Sequence, residues 1–218
     1  HRDLHYPLRR QRQMCIRDRH MMYGMEFSQY NFHPYRIYYS QQENQQWTTR
    51  EKLPEARGGF DICVDSNLDP HISYTGYTDE DEQPIWHRYK DPNGTWTDTE
   101  IIDPAWGNHR LSYSGAIISM DRDDQPYFCY YNRNSNRLRV ASFREEGPAF
   151  ITVDSGYYLS RFLVDPDFPD GVSVVYEKYG DLILAFNHSG NWVRQRIAQR
   201  LYKYSTFGNV RMERDNGE

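Results

Sequence analysis

The sequence predicts an all-β protein built from repeated antiparallel units, and three observations carry this prediction. Short segments alternate apolar and polar positions and are rich in β-branched and aromatic residues, with aromatics at 16% of the chain. Polar turns containing Asp, Asn, Pro and Gly separate these segments. A turn followed by an aromatic residue recurs along the chain, as it does in proteins made of four-stranded repeats.

The clearest unit lies at residues 114–143, which predict three consecutive strands. Residues 115–120 form a short apolar run, and residues 126–131 and 137–143 alternate in the manner of half-buried strands. Asp121 opens the first turn, because its carboxylate can accept hydrogen bonds from nearby backbone N–H groups. Pro126 begins the second strand, where the missing N–H removes no ladder partner.

Two markers repeat this unit along the chain. An aspartate turn before a second strand is found at Asp65, at Asp121 and, with a two-residue insertion, at Asp165. A turn also precedes each of four aromatic residues spaced by 49, 54 and 42 positions, namely Trp47, Trp96, Phe150 and Trp192. This spacing predicts the four-stranded blades of a β-propeller, in which we expect these aromatics to fill the wedges between blades.

The repeats predict a partial propeller over residues 23–218. The blade boundaries fall at about 23–53, 54–103, 104–155 and 156–198, and a further blade starts at 199–218. Second strands are expected at 71–75, 126–131 and 172–177, and third strands at 36–40, 85–90, 137–143 and 181–187. We interpret the chain as an incomplete ring of about four blades from a longer propeller. The alternative is a complete four-bladed ring.

Residues 1–22 do not follow the repeat pattern and are expected to be a non-native or disordered tail. Residues 1–19 resemble the translation of a sequencing adapter, and the alternative is a basic arm or a targeting segment. The chain has 26 basic and 31 acidic residues, and residues 1–19 hold six and two of them, so the remainder carries a formal net charge of −9. An acidic body argues against nucleic acid as the main partner.

The remaining motifs exclude several classes of protein. No phosphate-binding loop, dinucleotide fingerprint or zinc-ligand spacing occurs, so we expect no cofactor and no metal. No apolar run is long enough to span a membrane. Cys63 and Cys129 fall in predicted strands without a CxxC motif, and we interpret them as buried, unpaired residues. The chain is expected to be a monomer.

The aspartate turn at 65, the segment Pro70-His71-Ile72-Ser73-Tyr74 and the Gly-x-Trp turns resemble the BNR-repeat, sialidase-like propeller proteins. The resemblance covers residues 36–218. It implies a propeller fold, glycan recognition or glycan cleavage, and a location outside the cell or in the cell envelope. The strict Asp-box of this family is not matched, although residues 91–96 come near it.

In a propeller, the loops from the outer strand of one blade to the inner strand of the next converge on one mouth. Here those loops are expected at 54–58, 104–114, 155–160 and 199–207. Arginine can hold a carboxylate or sulfate through two parallel hydrogen bonds, and an aromatic ring can stack on a sugar. The candidate ligand-binding residues are Arg57, Trp106, His109, Arg110, Tyr157, Tyr158 and Arg161.

A second set of residues suggests catalysis. His71 and His87 fall on neighbouring strands, where they could act as acid and base together with Tyr74 or Tyr89. The alternative is that they are packed strand residues. The sequence therefore leaves three functions open: recognition of a carbohydrate, with an acidic glycan as the candidate ligand; cleavage of a glycan by hydrolysis or elimination; and a scaffold that binds another protein.

Overall fold

The computed structural model describes residues 20–25, 35–76, 84–101, 116–132, 135–144, 147–156, 159–168, 171–188 and 190–199. All regular secondary structure among these residues is β-strand. Every strand pairing whose register the structure describes is antiparallel. The all-β prediction is therefore confirmed.

Fifteen strands follow one another along the described chain. They are β1 (His20–Met25), β2 (Tyr35–Glu43), β3 (Gln46–Trp47), β4 (Glu51–Val64), β5 (Pro70–Gly76), β6 (Ile85–Lys90), β7 (Trp96–Ile101), β8 (Ile117–Met120), β9 (Pro126–Asn132), β10 (Arg137–Arg144), β11 (Gly147–Ser155), β12 (Leu159–Phe168), β13 (Gly171–Lys178), β14 (Asp181–His188) and β15 (Asn191–Gln199). The predicted second and third strands lie within β5, β9 and β13 and within β2, β6, β10 and β14.

The chain divides into two compact units, His1–Glu55 and Ala56–Glu218. In the first unit, β1 pairs with β2, and β3 pairs with the end of β2. The side chains of Ile37 and Tyr39 on β2 are fully buried. The start of β4 also belongs to this unit, and its remainder belongs to the second.

The second unit contains three sets of four consecutive strands. We name them sheet I (β4 from Ala56, then β5 to β7), sheet II (β8 to β11) and sheet III (β12 to β15). Within each set, every strand is hydrogen bonded to the next one along the chain, so each sheet is an up-and-down meander. Sheet II contacts both of the other sheets through its first strand, because β8 contacts β5 of sheet I and β12 of sheet III.

Apolar side chains fill the space between successive sheets. Between sheets I and II the buried residues include Ile85, Ile101, Ala116, Ile118, Phe128, Tyr130 and Ala141. Between sheets II and III they include Cys129, Leu138, Val140, Val153, Val174, Tyr176 and Ala185. A buried side chain of this size stabilises the fold by about 1.5 to 3 kcal/mol, so the two layers supply the main favourable free energy of the unit. Both Cys63 and Cys129 are unpaired, as expected.

The aspartate turns form the hairpins that the sequence predicts at two of the three positions. Asp65 Oδ1 accepts hydrogen bonds from the N–H groups of Asn67 at 2.9 Å and Asp69 at 2.8 Å. Asp121 Oδ1 accepts the same two bonds, from Asp123 at 2.9 Å and Gln125 at 2.8 Å. Each aspartate therefore closes its own turn and satisfies two backbone donors.

A third turn of this kind occurs at Asp91, between β6 and β7. Asp91 Oδ1 accepts the N–H of Thr95 at 2.7 Å. The fourth turn residue has a positive φ in all three turns, with 68° at Leu68, 58° at Asp124 and 83° at Gly94. The hairpin geometry is thus the same in the three turns, although Leu68, unlike Gly94 and Asp124, is not of a type that tolerates this conformation.

The predicted turn at Asp165 is wrong. Asp165 lies inside β12, where it pairs with Ser173. When the ladders are aligned on the tyrosine of each second strand, Asp165 corresponds to Cys63 and Ser119. Both of those residues precede their turn aspartate by two positions. The position equivalent to the two turn aspartates is therefore Asp167, which also lies within β12, and no two-residue insertion is needed.

Two further expectations need correction. Residues 54–58 are not a loop, because β4 continues through them with an irregular register between Ala56 and Phe60. Trp47 does not fill a wedge, because it remains 48% exposed. Phe150 and Trp192, in contrast, pack against the cores of sheets I–II and II–III, as expected.

Replacing Asp121 by Ala should lower the free energy of unfolding by about 1 to 2 kcal/mol, because two backbone donors lose their acceptor. Urea unfolding of the full chain measures this change. Asp123→Ala is the matched control, since it removes a carboxylate from the same turn while its N–H still reaches Asp121. Equal effects of the two substitutions would contradict this account of the turn.

Candidate functional site

The two histidines chosen from the sequence lie on one face of sheet I. His71 is on β5 directly opposite Tyr89 on β6, and His87 lies two residues before Tyr89 on the same strand. Because side chains alternate across a strand, the three rings point to the same side. This is the face that packs against sheet II.

The three rings form one stacked group, which we call the His71–His87–Tyr89 cluster. His71 Nδ1 and His87 Nε2 are 3.0 Å apart, so one nitrogen donates a hydrogen bond to the other. The two imidazoles stack with ring centroids 5.2 Å apart, and Tyr89 stacks at 5.7 Å from His71. Phe128 of sheet II meets the ring of His87 edge-on at 5.1 Å. The cluster thus forms part of the contact between two sheets.

The protonation of the cluster follows from burial. Burial and the neighbouring His71 lower the pKa of His87 to about 3. Burial also lowers the pKa of His71, although the carboxylates of Asp65, Asp69 and Asp124 act in the opposite direction. His87 is therefore neutral at neutral pH. A general acid or base works best with a pKa near the working pH, so His87 is poorly suited to proton transfer.

An acidic side chain lies next to His71. Asp65 Oδ2 lies 3.8 Å from His71 Nε2, and both side chains are largely buried. Cys63 is the cross-strand neighbour of His71, and burial together with Asp61 and Asp65 raises the pKa of its thiol. The thiol is therefore protonated and unreactive as a nucleophile.

Tyr74 does not belong to this cluster. It lies on the opposite face of β5, where its hydroxyl is 3.5 Å from Asp98 Oδ1. Burial and Asp98 raise the pKa of this phenol. Arg88 forms an ion pair with the same carboxylate at 3.3 Å. Tyr74 therefore lies on the opposite face of sheet I from His71 and His87. Tyr89, the alternative partner, lies on the same face as the two histidines.

The histidines and the candidate ligand-binding residues also differ in their position along the strands. His71 follows the Asp65 turn, and Tyr89 precedes the Asp91 turn, so the cluster lies toward that end of sheet I. The segment 102–115 leaves from Ile101, which pairs with Ile85 at the other end of the sheet. The histidines are thus directed away from the connections that carry the candidate ligand-binding residues.

The side chains of the candidate ligand-binding residues are not described by the structure. Arg57 lies in β4 and Arg161 lies in β12, but only their backbone placement is described. The other five lie outside the described residues, namely Trp106, His109, Arg110, Tyr157 and Tyr158. Their roles stay predictions.

A polar group that the sequence analysis did not identify lies between sheets II and III. Asp154 on β11 accepts hydrogen bonds from the Tyr176 hydroxyl at 2.5 Å and from Lys178 Nζ at 2.8 Å. Arg194 reaches the same strand and donates to the carbonyl of Val153 at 2.5 Å. Burial raises the pKa of Asp154, but the bonds from Lys178 and Tyr176 outweigh burial, so this pKa lies below its usual value.

No sequence signal pointed to this group. Its members come from three strands, and none forms a recognised spacing with another. The alternation of β13 alone places Tyr176 and Lys178 on one face, but nothing in the sequence pairs that face with Asp154. The group is a buried tie between sheets whose hydrogen bonds largely satisfy the carboxylate.

Two kinds of feature are absent from the residues that the structure describes. No group of three or more His, Cys, Asp or Glu side chains in this part of the chain could hold a metal ion. Nor does a helix with the length and apolar character of a membrane span occur among the residues whose placement is described.

Comparisons with known proteins do not assign the chain to a family. No family model matches the sequence, and no curated protein matches it significantly. The resemblance to BNR-repeat proteins therefore stands on the motifs alone.

Acid should destabilise the protein through His87. The native pKa of about 3 lies below the value of about 6.5 in the unfolded chain, so the unfolded state binds a proton that the native state does not. The free energy of unfolding should fall as the pH drops from about 6.5 toward 3, by up to about 1.4 kcal/mol per pH unit from this group.

His87→Gln removes the titrating group and keeps a hydrogen-bonding side chain of similar size. Urea unfolding at a series of pH values should give a shallower acid slope for this variant than for the wild type. Identical slopes in the two proteins would show that His87 is not held neutral by its surroundings.

Proposed function

We propose that sheets I, II and III are successive blades of a β-propeller of the BNR or sialidase-like type. Each is a four-stranded meander, and β8 of the middle sheet contacts the sheets on either side of it. Antiparallel blades stacked through their inner strands are the arrangement that this fold requires. The repeat spacing of the turn aromatics supports the same interpretation.

The proposed function of this propeller is recognition of a carbohydrate. The observation that carries the proposal concerns the connections from the outer strand of one sheet to the inner strand of the next. These connections leave from the same end of the strands. Residues 102–115 join β7 to β8, and residues 156–158 join β11 to β12. Because the sheets share one strand order, both connections belong to the same end of the strands. These connections contain Trp106, His109, Arg110, Tyr157 and Tyr158.

The chemistry of these residues fits an acidic glycan. A guanidinium group binds a carboxylate or sulfate through two parallel bonds, and an aromatic ring provides an apolar face for a sugar ring. Local arginines can bind an anion although the chain as a whole has a formal net charge of −5. The family resemblance extends the proposal to a location outside the cell or in the cell envelope.

Binding is favoured over cleavage by the position of the histidines. A glycan-cleaving enzyme needs two carboxyl groups, or an acid and a base, at the bound sugar. His71 and His87 lie toward the opposite end of sheet I, and His87 packs on Phe128. The described residues therefore support a binding domain whose histidines stabilise the contact between sheets.

Replacing Trp106 and Arg110 together by Ala should weaken retention on acidic polysaccharides by about ten-fold or more, because stacking and the paired hydrogen bonds are both lost. Affinity electrophoresis in gels containing polygalacturonate measures the retention of the full chain.

The matched control replaces Trp47 and Arg122 by Ala, since both are exposed and neither lies in these connections. This control should migrate like the wild type. If the Trp106 and Arg110 double variant is retained as strongly as the wild type, these connections do not bind the carbohydrate.

A further inference from the structure

Tyr179 occupies an unusual place in sheet III. It forms the tip of the β13–β14 hairpin together with Gly180, and both residues have a positive φ, 54° and 89° respectively. Its side chain is 65% exposed, which is the largest exposure among the large hydrophobic residues that the structure describes as exposed. An exposed aromatic ring therefore projects from a two-residue turn.

The turn itself does not favour tyrosine. The left-handed region is tolerated by Gly, Asn and Asp, whereas a bulky side chain there is a genuine outlier. Among the described non-glycine residues with positive φ, Asn44, Asn136 and Asp124 are of the tolerated kind, and Tyr179 is the one aromatic residue. Burial of the ring does not compensate for this conformation. Backbone strain at an exposed position is a reason to look for a function.

Polar groups converge beside the ring. A Cβ atom built on Gly156 would lie 3.6 Å from Lys178 Nζ and 3.7 Å from the Tyr179 hydroxyl oxygen, so the backbone of Gly156 lies against both side chains. Gly156 has a φ of 130°, a conformation suited to glycine. The Tyr131 hydroxyl binds the Gly156 carbonyl at 3.0 Å and fixes this backbone from below.

Charged side chains close to Tyr179 in the sequence form ion pairs. Lys178 Nζ donates to Asp154 Oδ2 and to the Ser155 carbonyl, both at 2.8 Å, and a third N–H remains for a ligand. Arg196 forms an ion pair with Asp181 at 3.3 Å. The Lys178 ammonium, which is the donor beside the ring, is therefore already paired with a carboxylate, and this suits a ligand with hydroxyl groups rather than an anion. Arg194 lies 3.9 Å from the other oxygen of the same carboxylate.

The location connects this surface with the proposed binding end. β11 ends at Ser155 and β13 ends at Lys178, so Gly156 and Tyr179 lie at the strand end from which residues 156–158 lead into β12. The connection that contains Tyr157 and Tyr158 thus begins beside Tyr179.

We propose that Tyr179, Lys178 and Gly156 form a subsite for an uncharged pyranose ring of a glycan. The sugar stacks its apolar face on the Tyr179 ring, and one of its hydroxyl groups accepts a hydrogen bond from Lys178. This inference rests on the proposed carbohydrate binding and adds to it a specific subsite for a neutral sugar, separate from the arginine-containing connections.

Tyr179→Asn separates binding from stability. Asn is favoured at this turn position, so the variant should unfold at the same temperature as the wild type or at a higher one. Its dissociation constant for a neutral probe, chitohexaose or xylohexaose, should rise about five-fold or more by isothermal titration calorimetry. The rise should be the same at low and high NaCl concentration, because no charge pair is lost. Tyr179→Gly provides a second variant that also suits the turn.

Leu68→Asn is the matched control. Leu68 is also a large, exposed residue with a positive φ, 68°, but it lies in the turn that precedes His71. Its replacement should leave the dissociation constants unchanged. Tyr179→Phe should also retain binding, because the stacking ring remains.

The outcomes distinguish this inference from the proposed function. If Tyr179→Asn and Tyr179→Gly bind the neutral probes as the wild type does, while the Trp106 and Arg110 double variant loses retention on polygalacturonate, the subsite is disproved and carbohydrate binding stands. If the wild type binds neither the neutral hexasaccharides nor hexagalacturonate, both are overturned.

Discussion

The inner edge of sheet II must be covered for the three sheets to stack, and side chains of sheet I cover it. β8 is an edge strand, so some of its backbone groups have no partner within their own sheet. Asp61 Oδ2 accepts the N–H of Ile118 at 3.1 Å, and the Ser73 hydroxyl donates to the carbonyl of Ala116 at 2.8 Å. Burial raises the pKa of Asp61, although its backbone hydrogen bonds act in the opposite direction. The position of sheet II depends on these two bonds, because an unsatisfied buried group is costly.

The two contacts between successive sheets use different chemistry at opposite strand ends. Between sheets I and II, the turn residue Ser66 donates to Asp124 through its N–H at 2.8 Å and its hydroxyl at 2.5 Å, close to the histidine cluster. Between sheets II and III, Asp154 holds Tyr176 and Lys178 at the end where the outer-to-inner connections lie. One end is thus fixed by tight turns and stacked imidazoles. The other end carries the exposed side chain of Tyr179, which suits the proposed ligand binding.

The sequence predicted the strands well because their signals are local. Alternation, aspartate turns and Pro126 each act over a few residues, and the second and third strands follow from them. Asp165 was misassigned because an aspartate within a strand has the same sequence context as one that closes a turn, and only the ladder register separates them. Residues 54–58 were misassigned because Pro54 and two glycines signal a loop, whereas β4 absorbs them as an irregular strand. The Asp154 group could not be predicted, because sequence spacing does not say which sheet faces which. The conformation of Tyr179 could not be predicted either, because spacing does not determine its backbone φ.

Amide hydrogen exchange at Ile118, followed by NMR in the full chain, tests the stacking of the sheets most directly. This N–H belongs to an edge strand and is bonded to a side chain of the preceding sheet, so only the packing of sheet I on sheet II can protect it. The account predicts slow exchange in the wild type and exchange at least about ten-fold faster in Asp61→Ala, with the amide of Val174 in sheet III unchanged. Exchange of Ile118 at the rate of an unprotected amide in the wild type would contradict the stacked arrangement of sheets I and II.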